Sequence, residues 1–364
     1  MKEKLHYIHL VLLIYLIQTG VALFSLPNIL AYDLGTNGWI AVLLVSMLIS
    51  LNILLIGAVY KLGKGKSLFI ILENGLPRPL LYPLYIFLLI VWSLLACIVG
   101  KQYMNLYQII RFHTTPVTIL KLTYDVLVYL LLIKGLYNIA KASTIIFSIT
   151  IFLALLFTTQ FHGIELARFT PFLFKEGNDW LHGMIDTYIA FLGFELSLLF
   201  IPYINKESRF IKAMLVGNLI TTFIYTYTCF VIFGYFGHAY LRELLFPLMN
   251  LLSTIHFPFL ERLENLLYGL FLFKVLITSV MYYWAATEAA KRIFKRTDEK
   301  LLSFLIIAIT YFISLVPGTL DQISEWLSFL SKIEIAIAIG LPAVAILLLM
   351  IQKGGKKYSD VQNR

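Results

Sequence analysis

The sequence predicts an all-α polytopic membrane protein of ten transmembrane helices, and three observations carry that expectation. Apolar residues make up 60% of the 364 residues and charged residues only 13%, against about 25% charged in a soluble domain. Apolar runs of roughly 18 to 25 residues, long enough to cross a bilayer core, recur along the chain with short charged loops between them. Lys and Arg collect in alternate loops, the asymmetry that orients membrane proteins.

In order, spans are expected at 7–31, 38–60, 80–108, 117–133, 142–159, 181–202, 212–237, 263–287, 301–316 and 333–351. The first run outlasts a signal-peptide core and has no small-residue cleavage site, so it is expected to stay as a span. Ser67–Leu76 reads as a short amphipathic segment on the cytoplasmic side. The connections at 160–180 and 238–262 are rich in Phe, Pro and mixed charge. Within the second, Leu241–Ile255 is apolar but too short to cross, and reads as a re-entrant or interfacial piece over the outer mouth. The 318–332 connection, with Asp321, Glu325 and Trp326, reads as a third outer segment resting at the interface. Residues 352–364 read as a disordered cytoplasmic tail. With the N-terminus inside, twenty of the 29 basic residues lie on the cytoplasmic side and seven outside, which places both termini in the cytoplasm of a cell membrane. The net charge of +9 thus reflects orientation in lipid, and nucleic acid is not expected as a partner. A single membrane-embedded domain spans 1–364.

Two spans carry helix breakers in matching places. Gly costs about 1 kcal/mol and Pro about 3 kcal/mol against Ala inside a helix, so Gln18-Thr19-Gly20-Val21-Ala22-Leu23-Phe24-Ser25-Leu26-Pro27 marks an interruption of the first span. The sixth repeats the order with Gly193 and Pro202. With ten spans the first runs outward and the sixth inward, so repeats of about 7–159 and 181–351 would be inverted about an axis in the membrane plane. The plainer alternative is two ordinary kinks, since Gly and Pro are both common in membrane helices. Broken helix at membrane depth is tolerated where protein or a water-filled cavity satisfies the freed backbone, and such breaks hold ligands. The expected ligand site therefore comprises Thr19, Gly20, Val21, Ala22, Leu23 and Ser25 in the first break. In the second it comprises Tyr188, Phe191, Gly193, Phe194 and Glu195. Freed N–H groups at Gly20–Leu23 suit a carboxylate, while the aromatic rings either enclose the ligand's apolar part or simply pack.

Polar residues within spans form a second group of candidates. A carboxylate at the depth of Glu195 must pair, protonate or meet water; its structural alternative is pinning the broken helix to a neighbour. Asp186, nine positions earlier, falls on the opposite side of the helix, so the two are not expected to act together. Phe271, Lys274, Thr278, Tyr282 and Ala285 share one inward face of the eighth span. A Glu195–Lys274 ion pair is one hypothesis, and Lys274 standing in place of a coupling cation is another. Ser93, Cys97, Lys101, Asn105 and Gln108 make a polar stripe in the third span, with Lys101 expected to snorkel outward. Lys101, Glu195, Lys274 and Thr278 form a possible intramembrane network. Asn218, Thr221, Thr222, Tyr225 and Thr228 read as interhelical hydrogen bonding. Cys97 and Cys229 lie within spans, so no disulfide is expected. No His-Glu-x-x-His pair, phosphate loop or nucleophile elbow occurs, and His113, His162, His182, His238 and His256 scatter over outer regions. Neither enzyme activity, cofactor nor metal is expected.

The segment Gly20-Val21-Ala22-Leu23-Phe24-Ser25-Leu26-Pro27, the segment Phe191-Leu192-Gly193-Phe194-Glu195, the length and the ten-span layout resemble the B subunits of the GerA-type nutrient germinant receptors of spore-forming bacteria. These are distant members of the amino acid–polyamine–organocation transporter superfamily. The resemblance covers essentially the whole chain, and it implies a LeuT-like five-plus-five inverted repeat with helices 1 and 6 interrupted. It also implies a small nutrient ligand such as an amino acid, a larger membrane A subunit and a C subunit lipoprotein as partners, and the inner membrane of the spore as location. The first functional expectation is a ligand-sensing subunit that signals to its partners. The alternative is a proton- or ion-coupled permease for amino acids or amines, and a third is a scaffold with a vestigial pocket.

Overall fold

The computed structural model describes residues 4–112, 114–205, 207–255 and 263–362. Among these the fold is helical, without named strands. The first span is a helix, Tyr7–Gln18 (α1), a 3-10 turn at Val21–Phe24, and a short helix, Leu26–Ile29 (α2), that runs on into a π turn at Leu30–Leu34. Pro27 sits in the first turn of α2, where a missing N–H costs nothing, because that donor has no intrahelical partner anyway. Next come Ile40–Leu62 (α3), the amphipathic Leu68–Gly75 (α4), Arg78–Ile110 (α5), Val117–Leu132 (α6), Leu136–Thr150 (α7) and Phe152–Leu156 (α8).

The second half opens with Trp180–Ala190 (α9), capped by Asp179, whose carboxylate accepts from the amides of Leu181 and His182 at 3.1 Å each. After a break the chain resumes through Ser197–Phe200 (α10) to Tyr203, bent by 47° from α9. Phe210–Phe236 (α11), His238–Leu241 (α12), Pro247–Ser253 (α13), Leu263–Ile293 (α14), Glu299–Ile313 (α15) and Leu320–Gln362 (α16) complete it. Among the described residues five helices, α3, α5, α11, α14 and α16, are each long and apolar enough to cross a membrane, and the bent α9–α10 pair, taken as one span, makes a sixth.

Two expectations change. The chain at 318–332 is not a separate interfacial segment: α16 begins at Leu320 and runs without a break past Glu334. Asp321 and Glu325 lie in its first two turns, and two early charges do not stop a helix that is strongly apolar beyond them. The same helix continues to Gln362, where a disordered tail is expected. Leu241–Ile255 forms no long helix: α12 and α13 are short, and Leu241, Leu248, Leu251, Leu252 and Ile255 are buried. They pack against the first break, and Asn28 Nδ2 donates to the carbonyls of Leu241 and Arg242 at 2.9 and 3.2 Å.

Helix α1 lies at the centre. Every residue from Leu10 to Gln18 is buried, with α11, α7 and α14 packed around it. An element hydrophobic all round is an interior one. The two ends of the first span are tied to the two ends of the sixth. Leu5 forms an isolated bridge with Ile204, the Leu5 amide donating to Tyr203 O at 2.9 Å and Leu5 O accepting from Asn205 N at 3.0 Å. At the opposite end the chain entering α9 pairs with the chain leaving α2, through Phe174 N to Thr36 O at 2.8 Å and Asp179 N to Asp33 O at 3.2 Å. The two interrupted spans therefore run antiparallel, side by side, with their breaks at the same level.

Candidate functional site

Helix α1 stops at Gln18, and the carbonyls this frees are satisfied by side chains from two neighbours. Thr278 Oγ1 donates to Ile17 O at 3.1 Å and lies 3.3 Å from Leu16 O. Tyr225 OH lies 2.8 Å from Gln18 O. Gln18 is held by its side chain too, donating to Asn218 Oδ1 at 3.1 Å and accepting from Thr221 Oγ1 at 2.7 Å. The polar face of α11 therefore joins helices, as its spacing suggests. A break at this depth persists because each freed carbonyl finds a donor.

The donors at the break are only partly free. The Gly20 amide is taken by Gln18 O at 3.0 Å, which corrects the expectation that its N–H faces a ligand. Val21 and Ala22 open the 3-10 turn, and their amides have no backbone partner, as the first donors of any helical turn must lack one. They lie beside a cavity of about 60 Å³ lined by Gln18, Gly20, Val21 and Ala22 on one side and Ile189, Ala190 and Leu192 on the other. One water needs about 10–15 Å³ on this scale, so the space suits a molecule of four to six heavy atoms. Leu95 and Val99 of α5 and Leu327 of α16 make its wall apolar, while Thr278, Tyr282 and Ser331 bring the hydroxyls.

Of the expected ligand residues, Gly20, Val21 and Ala22 line this cavity, as does Thr278. Thr19 turns away, its hydroxyl donating to Tyr15 O at 2.8 Å, and Ser25 Oγ lies 3.4 Å from Ala22 O. Leu23 is buried in the core. The aromatic residues are not at the cavity wall: Phe191 meets the Tyr225 ring edge-on at 5.1 Å, and Phe194 meets Tyr188 at 6.3 Å. Tyr188 OH accepts from Asn52 Nδ2 at 3.0 Å. Gly193 has φ +116°, and a Cβ there would stand 2.2 Å from Ile17 Cγ2. Here the second break packs directly against the end of α1.

Glu195 is 3% exposed and turns back on its own break, accepting from the Gly193 amide at 2.8 and 2.9 Å and from Tyr282 OH at 2.8 Å. It does not pair with Lys274, whose Nζ donates to Tyr15 OH at 3.0 Å and lies over the Tyr15 and Phe271 rings. Lys101 does not snorkel: it is buried and donates to Ser314 O at 2.7 Å, while Cys97 Sγ reaches Thr310 O at 3.1 Å. The polar stripe of α5 thus seats α15.

Three features lie beyond the sequence-level expectations. Glu334 of α16, 0% exposed, accepts from Trp92 Nε1 at 3.0 Å on one oxygen, leaves the other without a partner, and lies beside the Glu195 carboxyl. Its signal was available: Leu327, Ser331 and Glu334 follow helical spacing, but a span begun at 333 puts Glu334 at an interface. Lys121 and Asp125 form a buried ion pair within α6, with Nζ to Oδ2 at 2.5 Å. At the far end of the breaks, His182 Nδ1 lies 3.3 Å from Asp33 Oδ2 and 3.5 Å from Asp186 Oδ2. These three are the described residues whose donor atoms converge closely enough for a cation, all within 4.8 Å. The imidazole between two carboxyls already accounts for the cluster as a tie between the spans. His113 and His256 lie outside the described residues.

A centrally buried broken helix, a second one antiparallel to it, and a small cavity at the level of both breaks define a transporter-like membrane protein. The fold is shared with Mhp1, a nucleobase-cation-symport-1 family transporter solved in a closed conformation with bromovinylhydantoin bound. The TM-score is 0.69 at 10% identity, over 95% of this chain and 78% of that one. The chain belongs to the spore germination protein family, whose sequence profile matches residues 4–323. It is 25% identical to spore germination protein GerQB of Bacillus cereus over 300 residues, 82% of each chain. It is 22% identical to spore germination protein A2 of Bacillus subtilis strain 168 over 341 residues, 92% of each.

Proposed function

We propose that this chain is the ligand-sensing subunit of a spore nutrient germinant receptor, and that its nutrient is a small amino acid seated between the two helix breaks. The observation that supports this reading most is the pair of unpartnered amides at Val21 and Ala22 beside the cavity. Two adjacent N–H groups at the start of a helical turn are a favourable seat for a carboxylate. The apolar wall of Leu95, Val99 and Leu327 suits a short aliphatic side chain, and the limited volume disfavours larger nutrients. Binding would bias an equilibrium between arrangements of the broken spans by the ligand's differential affinity for them. Membrane A and lipoprotein C subunits would receive that bias in the spore inner membrane, with both termini of this chain cytoplasmic. The experiment is germination of spores carrying wild type or Gly20→Val at matched protein levels, against a panel of amino acids, sugars and nucleosides. Loss confined to one class of nutrient supports the reading, and an unchanged response removes it.

The second reading is an ion-coupled permease for amino acids or amines, favoured by the fold shared with a transporter. It predicts uptake of radiolabelled amino acid in vegetative membranes, lost in the same variant while germination is unaffected.

A further inference from the structure

We propose that Glu195 and Glu334 form a proton-binding site in the membrane core, holding one proton between the break of the sixth span and α16. Both carboxyls are buried, at 3% and 0% exposure. Glu195 receives the Gly193 amide and the Tyr282 hydroxyl. Glu334 receives Trp92 Nε1 on Oε1, and its Oε2, wholly buried, has no donor. The two carboxyls nevertheless lie within hydrogen-bonding reach of each other. Two ionised carboxylates have no hydrogen to share, and the buried Oε2 of Glu334 has neither donor nor cation beside it, so a proton on the pair is what would satisfy it. Two adjacent buried carboxyls cannot both ionise without a compensating charge.

The surroundings offer no such charge. The groups facing the pair are Tyr282 from α14, Trp92 from α5, the Gly193 amide, and Tyr188 from α9, which Asn52 of α3 engages. Among the described residues no Lys, Arg or His comes within 4.0 Å of either carboxyl. The buried cations Lys101 and Lys274 are bonded to Ser314 O and Tyr15 OH. One proton satisfies Oε2 of Glu334 and brings the pair to a single negative charge, which the four donor contacts then stabilise.

The site communicates with the cavity by two routes. Tyr282 both lines the cavity and donates to Glu195, and Ser331, also at the wall, precedes Glu334 by one helical turn. A ligand that competes for the Tyr282 hydroxyl or displaces α16 changes the affinity for the proton, and the proton must change the affinity for that ligand by the same factor. Loss of the proton sets two carboxylates against each other, separating the break from α16. This holds for a receptor and a permease alike.

The test is infrared difference spectroscopy on the full chain in lipid nanodiscs near neutral pH. The expected result is a carbonyl band of a protonated carboxyl that moves in D2O and moves again when the protein carries carbon-13 glutamate. Both Glu195→Gln and Glu334→Gln should abolish it, because an amide N–H then donates to the remaining carboxylate and no proton is needed. The labelling arm stands even where a variant does not fold. Absence of a glutamate carboxyl band in wild type overturns the proposal, as does a band that survives in both folded Gln variants. A band that appears only after sodium and potassium are removed also overturns it, in favour of a metal cation between the carboxylates.

Discussion

The hydroxyl of Tyr225 stands 2.8 Å from the carbonyl oxygen of Gln18, the last residue of the first broken helix. It also lies 3.1 Å from Ala190 O, the last residue before the second break. One phenol thus caps both interruptions, and its single hydrogen is shared between two carbonyls that have left their helices. Tyr225→Phe keeps the ring against Phe191 and removes the donor. Leaving a buried acceptor unsatisfied costs about 1–3 kcal/mol, so the variant should lose that much stability in detergent. A nutrient response that weakens more than protein level does would place the loss at the breaks, and a melting temperature equal to wild type would refute the capping role.

Gly193 makes the opposite kind of prediction, since it is required for the space it leaves. At φ +116° with a Cβ position 2.2 Å from Ile17 Cγ2, Gly193→Ala incurs about 1–2 kcal/mol for the backbone and about 1–3 kcal/mol for overpacking. The variant should accumulate poorly in membranes. Adding Ile17→Ala removes the clashing methyl and should restore part of the level, leaving the backbone cost. Immunoblots of the three variants check this, and a double variant no better than Gly193→Ala alone would deny the contact.

Much of this arrangement is legible in the sequence, and what is not has identifiable causes. Gly20 with Pro27 and Gly193 with Pro202 locate both breaks, because breakers in an apolar run act locally. The inward face of Phe271, Lys274, Thr278, Tyr282 and Ala285 follows from helical spacing, and all five are buried. Which buried groups meet is a tertiary matter. Glu195 and Lys274 have opposite charges and similar depth, yet each finds a neutral hydroxyl, Tyr282 or Tyr15, that spacing alone cannot rank. Lys101 reads as a snorkelling residue until α15 supplies the carbonyl of Ser314. Glu334 is hidden by the late start assigned to the last span.

The ion pair of Lys121 and Asp125, at 1% and 3% side-chain exposure, calls for a cycle of substitutions. Removing one partner of a buried pair costs about 3–5 kcal/mol, because the other charge is stranded, whereas replacing both by apolar residues of similar size is often neutral. Asp125→Asn should therefore deplete the protein from membranes. Lys121→Met with Asp125→Leu should restore it to within about twofold of wild type by quantitative immunoblot. Equal depletion in both would mean that the pair has a role beyond neutralising itself.

Gly20 separates space from chemistry at the cavity. A Cβ there would meet Thr278 at 3.6 and 3.9 Å, ordinary contact distances, so Gly20→Ala should fold and accumulate normally. Gly20→Val adds two further methyl groups, and in a cavity of about 60 Å³ they occupy the room a small ligand needs. The expected pattern is an unchanged melting temperature to within a few degrees for both, a modest rise in the nutrient concentration required for Ala, and loss of response for Val. Because Thr278 continues to hold the end of α1, the loss would come from the filled cavity and not from a displaced helix. A Val variant that responds normally would mean that the nutrient binds elsewhere. A Val variant that is absent from the membrane, beside a normal Ala variant, would show that α14 sits closer to Gly20 than the contact distances imply.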